Sequence, residues 1–162
     1  MDVLILLGSD SDAPVMQGTV ETLDSLGLTC EMTVASAHRS PARVLQLVEE
    51  APGRGVKVFI AAAGAAAHLA GAVAAHTTLP VIGVPIASSD LKGLDALLST
   101  VQMPPGVPVA TVSVGKPGAT NAAVLAAQII ATADPQLAQR VREYKKLLAE
   151  KVERAAEKIK GV

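Results

Sequence analysis

Residues 58–89 read VFIAAAGAAAHLAGAVAAHTTLPVIGVPIASS, and they contain no Asp, Glu, Lys or Arg. A run of that length raises the question of a membrane span. Ala and Gly dominate it, His68 and His76 interrupt it, and Pro80 and Pro85 break it. The residues that drive insertion, Leu, Ile, Val and Phe, are sparse here. A buried strand, a glycine turn, a small-residue helix and a second buried strand fit better, and no membrane partner is expected. This stretch is therefore one repeat of a strand–helix–strand pattern.

The same pattern runs through the chain on both sides. Apolar runs at 3–7, 28–34, 56–62, 80–85 and 107–114 read as strands, several of them apolar at nearly every position. Continuous apolar strands are the mark of a parallel sheet covered on both faces. Helices are expected over 13–26 after Asp12, over 65–76, 91–102 and 119–131, and from Ser40-Pro41 to just before Pro52. Asp134-Pro135 opens a last helix reaching about residue 158, whose charged pattern suits an exposed helix or a clasp onto a neighbouring subunit. Five strands alternating with helices give a three-layer, doubly wound α/β domain of flavodoxin-like order 2-1-3-4-5. The whole chain, 1–162, reads as a single domain with a core over 1–133 and a C-terminal helix over 134–160.

Composition narrows the function. Of 162 residues half are hydrophobic, but one Phe and one Tyr are the only aromatics, and the net charge is −1. Without ring platforms or a basic footprint, nucleic acid is not an expected partner. A single cysteine excludes an internal disulfide framework. Cys30 lies in a strand and reads as an inert buried thiol. Three histidines without H-x-x-x-H spacing, and no paired cysteines, do not form a metal site. Serine-hydrolase chemistry lacks its G-x-S-x-G. The start, MDVLILLGSDSD, has no basic region and turns polar too early for a signal peptide, so a cytoplasmic location is expected.

In a sheet of this order, ligands bind beyond the carboxyl ends of the strands at the switch point. The loops after strands one, two and three hold much of the reactive chemistry in the chain. Gly8-Ser9-Asp10-Ser11-Asp12 places two hydroxyls at a helix start, an anion site, although it is neither a dinucleotide fingerprint nor a P-loop. Its aspartates repel phosphate, so one should cap the turn or meet sugar hydroxyls; a plain capping turn remains open. Ser36-Ala-His38-Arg39-Ser40-Pro41 combines a proton-exchanging imidazole, a phosphate fork and a helix start. An exposed His–Arg pair is the bland alternative. Ala61 to Leu69, with Gly64 and His68, is a small-residue loop that lets a ligand approach the backbone, though His68 alone also fits a structural role. His76 reads as surface or cap.

Taken together, GSDSD, SAHRSP, AGAAAHLAG, LPVIGVP and LLSTVQMPPGVPVATVSVGKPGATNAAVLAAQI resemble the class I N5-carboxyaminoimidazole ribonucleotide mutase family of purine biosynthesis, from Val3 to about Ile130. The resemblance implies an isomerase on a flavodoxin-like domain, assembled as a homo-octamer with sites near subunit junctions. It implies a small nucleotide substrate and no metal or organic cofactor. Carried over, His38 is the essential histidine with His68 supporting it. Ser9, Ser11, Asp12, Ser36 and Arg39 contact the substrate, and Gly64 to Leu69 close over the aminoimidazole. Ala61, Ala65 and Ala70 depart from the glycines and proline usual around this loop. An alanine there is harmless where φ is negative, costly where it is positive, and narrows the pocket if it points inward. Two alternatives differ in kind: a class II carboxylase that adds CO2 to aminoimidazole ribonucleotide, and a non-catalytic sugar-phosphate or nucleotide-binding module.

Overall fold

A computed structural model describes residues 1–160. Five parallel strands, β1 (Val3–Leu7), β2 (Cys30–Val34), β3 (Val58–Gly64), β4 (Val81–Ile86) and β5 (Ala110–Thr111), form one sheet in the order β2-β1-β3-β4-β5. The helices are α1 (Ala13–Ser25), α2 (Pro41–Glu50), α3 (Leu69–Ala74), α4 (Leu94–Val101), α5 (Lys116–Ala131) and α6 (Pro135–Lys160). None is long and apolar enough to cross a membrane.

The strand's period of two explains why β1 and β3 are apolar throughout. Val3, Ile5 and Leu7 pack with α1 and α5 on one face, beside Val58, Ile60 and Ala62. Leu4, Leu6, Phe59 and Ala61 pack on the other face with Val44, Leu47 and Val48 of α2 and Leu69 and Val73 of α3. Both sheet faces are thus core, and the scarcity of aromatics is met by alanines that bring helices close. Ala119, Ala122, Ala123, Ala126 and Ala127 of α5 are fully buried.

The boundaries differ from the sequence reading for physical reasons. Strand β5 is two residues long, not the expected 107–114: Pro104, Pro105 and Pro108 precede it, and proline donates nothing to a ladder. Strand β2 begins at Cys30 rather than residue 28, and β3 runs two residues past 62, to Gly64. Helix α3 starts at Leu69 rather than residue 65, because Ala65 adopts φ +51° and residues 65–68 form tight turns. Helix α4 waits for Gly93 at φ +89°, whereas α5 begins early, at Lys116. Two expected caps work differently. Neither the Asp12 nor the Ser40 side chain caps the helix after it, while the Asp134 carboxylate accepts from the amides of Gln136 and Leu137 at 3.0 Å each.

Candidate active site

Each loop at the carboxyl end of the sheet is shaped by its own polar residues. After β1, Ser9 caps a single 3-10 turn (Asp10–Asp12), and Asp12 Oδ2 accepts the Ser9 amide at 3.1 Å. This reciprocal box fixes Asp12, which is buried. Burial, aided by the nearby Asp10, pushes the Asp12 carboxyl up, against the Ser9 amide bond that lowers it. The hydroxyls of Ser9 and Ser11 meet at 2.9 Å.

After β2, Ser36 and Ser40 close a turn on each other. The Ser36 amide donates to Ser40 Oγ at 3.1 Å, and the Ser40 amide donates to the Ser36 carbonyl at 2.9 Å. His38 and Arg39 stand at the tip of that turn, exposed. Arg39 Nη2 reaches across to the Gly8 carbonyl at 3.1 Å, which ties the second loop to the first. After β3, the loop from Ala65 delivers His68 to the start of α3.

The result is a contact between the two imidazoles. His38 Nε2 lies 2.7 Å from His68 Nδ1, with the ring planes at 85°. Such a contact is a hydrogen bond, with a proton on one nitrogen and a lone pair on the other. The pair opens onto a cavity of about 250 Å³. Ser9, Ser11, Asp12, Ser36, His38, Arg39, Gly64, His68 and Leu69 all line it, so the nine residues singled out from sequence meet in one place. His76 does not: it is exposed beyond the end of α3. Cys30 is half-buried in the edge strand β2, and burial, with Asp24 nearby, pushes its thiol up. Among the described residues no three His, Cys, Asp or Glu side chains gather as a metal would require.

Ala61, Ala65 and Ala70 do not line the cavity, so their methyls do not narrow it. Only Ala65 carries the positive φ that makes alanine costly. One lining residue was missed in the sequence, Ser88, which comes after β4. Attention to the loops after the first three strands passes over it. The available signal was its place at the carboxyl end of an adjacent strand.

Fold and site together define a class: a parallel α/β domain with a compact polar cleft at its switch point, lined by the loops after β1, β2 and β3 and by a hydrogen-bonded histidine pair. The chain belongs to the AIR carboxylase family, whose model matches residues 2–151. It is 48% identical over 158 residues to an N5-carboxyaminoimidazole ribonucleotide mutase of Thermotoga maritima, covering 98% of this chain and 91% of that one. With the enzyme of that name from Bacillus subtilis it shares 54% identity over 139 residues, 86% of each chain. Its fold superposes on the crystal structure of Treponema denticola PurE with a TM-score of 0.88 at 30% identity, covering 98% of both chains.

Proposed function

We propose that this protein is a mutase that converts N5-carboxyaminoimidazole ribonucleotide to 4-carboxyaminoimidazole ribonucleotide in purine biosynthesis, in the cytoplasm. The observation that carries this reading is the 2.7 Å His38–His68 contact at the wall of a small cavity. Relatives near 50% identity that bear the mutase name support it.

The reaction moves a carboxyl group from the exocyclic nitrogen to ring carbon C4 of one nucleotide. The N–C bond breaks, CO2 is released, and the nitrogen takes up a proton. The electron-rich C4 then attacks CO2, and C4 gives up its proton to restore the ring. One proton goes in and one comes out, so a single group that shuttles it serves both halves. His38 performs that transfer, and His68 Nδ1 holds or returns the proton between the two steps; general acid–base help of this kind is worth about 10²–10⁴ in rate. Arg39 forks the phosphate with the hydroxyls of Ser9 and Ser36, Ser11 lines the same anion pocket, and Asp12 accepts from the ribose. That remote binding energy orients the ring. Gly64 and Leu69 bound the ring's side of a small cavity, which keeps CO2 from diffusing away.

The same reading assembles the chain as a homo-octamer. A cavity near 250 Å³ is small for a whole nucleotide, which usually needs roughly 300 Å³ or more, as suits a site completed by a second copy. Leu94, Leu98 and Val101 form an exposed apolar stripe along α4, with Leu91 exposed in the turn before it, and a row including Leu148, Val152 and Ile159 does the same on α6.

The test is an absorbance assay with N5-carboxyaminoimidazole ribonucleotide and no ATP, metal or bicarbonate. Rapid formation of the 4-carboxy product is expected. His38→Asn should bind the nucleotide and lose about 10²–10⁴ of turnover. Product appearing only from aminoimidazole ribonucleotide with added CO2 would make the protein a carboxylase. No turnover of either, with binding intact, would leave a binding module.

A further inference from the structure

Gly64 ends β3 beside Ile86 of β4, and two residues past Ile86 the chain turns back on itself, the Ser88 amide donating to the Ile86 carbonyl at 3.1 Å. That turn lays the Ser88 side chain across Gly64. A methyl built on Gly64 would fall 1.8 Å from Ser88 Oγ and 2.7 Å from Ser88 Cβ. Gly64 has no positive φ, so its glycine is required by space, and what fills that space is a hydroxyl. Ser88 lines the cavity, is exposed to it, and among the described residues its hydroxyl bonds no other group of the chain. Its neighbour Ser89, by contrast, is spent on Asp95, at 2.6 Å. Ser88 therefore presents an unused donor to whatever occupies the cleft.

Strand order says which part of the ligand that is. The cation of the site, the Arg39 guanidinium, sits at the Gly8 carbonyl just after β1, and Ser88 comes after β4, two strands along. Parallel neighbours lie about 4.8 Å apart, so the two groups are separated by roughly 10 Å across the sheet, room for a ribose and a small base between them. With phosphate held at Arg39, the outer edge of the base reaches Ser88. We infer that Ser88 is a substrate-binding residue whose hydroxyl donates a hydrogen bond to the carboxylate on that edge. The inference rests on the mutase reading and deepens it, by naming the group that holds the carboxylate once it sits on C4.

The experiment compares Ser88→Ala with the wild type by calorimetric titration of two probes, 4-carboxyaminoimidazole ribonucleotide and aminoimidazole ribonucleotide, which differ only in the carboxylate. A hydrogen bond to a charged group predicts about a tenfold or greater loss of affinity for the first, with the second held within about twofold. Ser88→Thr, which keeps the hydroxyl, should restore binding of the carboxylated nucleotide. Equal weakening of both probes would assign Ser88 to the ribose-phosphate or to cavity shape and overturn the inference. No change in either would also overturn it while the mutase reading stood on its turnover. A wild type that bound neither nucleotide would bring down both.

Discussion

At Ala65 the backbone sits at φ +51°, in the left-handed region where a β-carbon crowds the neighbouring peptide. Bonds and packing on its C-terminal side over-determine the turn: the Ala67 amide bonds the Ala65 carbonyl at 2.9 Å, the His68 amide bonds that of Ala66 at 2.8 Å, and Leu69 is buried immediately after. The loop thus keeps its shape against the residue's own preference, and His68 arrives at His38 because of it. Ala65→Gly removes the crowding at the cost of a looser unfolded chain. We expect a net gain of about 1 kcal/mol and a melting temperature higher by about 2–4 °C. The Ala65 methyl lies outside the cavity, so KM should not move. A thermal melt beside steady-state kinetics checks both parts. A lowered melting temperature would mean that the turn is not strained by its β-carbon.

Elements meet here through small residues, and Gly83 in the middle of β4 is a tight case. A β-carbon there would lie 2.4 Å from Thr100 Cγ2 of α4 and 2.9 Å from Val109 Cγ1. Gly83→Ala should cost about 1–3 kcal/mol by overpacking. Thr100→Ser removes the offending methyl and keeps the hydroxyl that donates to the Ala96 carbonyl at 2.7 Å. The double variant should therefore recover part of the loss in chemical denaturation, whereas simple additivity would show that the contact is not the cause. This packing also explains what could be read in advance. The parallel sheet and the three loops of the site were legible, since continuous apolar strands and clustered polar turns are local signals, and the strand order followed as the common one for five strands alternating with helices. The limits of α3 and β5 were not. Alanine favours a helix from residue 65 onward, but tertiary contacts impose the turn, and the ladder next to Pro108 is lost to a missing donor. Asp12 and Ser40 carried the chemistry of caps, yet the partner each chose was set by its loop closing on itself. Ser88 escaped notice because a serine after a strand carries no signal until the strand order places it beside Gly64.

Across the molecule, two aspartates at opposite ends of β1 act on acid stability with opposite sign. Asp2, at the amino end, draws three strands together. Its carboxylate accepts from the Thr29 amide and hydroxyl at 3.0 and 2.7 Å, and from Lys57 Nζ at 2.9 Å, while its carbonyl accepts the Lys57 amide. Partial burial works to raise its carboxyl, but the Lys57 and Thr29 bonds together outweigh burial and hold it at about 2, below the ordinary 3.8. A depressed acid favours the folded state when ionised, so this contribution is complete above pH 3.8 and disappears as the pH falls towards 2. Asp12, raised by burial, runs the other way: its ionisation opposes folding as the pH climbs past 3.8. Asp2→Asn should therefore be less stable than the wild type at pH 7, and the two should converge as the pH approaches 2. Asp12→Asn keeps an acceptor for the Ser9 amide without the buried charge, so its stability relative to wild type should improve as the pH rises from 3 to 7. Urea midpoints for the three proteins at pH 2, 3, 4, 5 and 7 separate the two effects. A gap between wild type and Asp2→Asn that stayed constant from pH 7 to pH 2 would show that Asp2 holds the strands by hydrogen-bond geometry alone, without its charge.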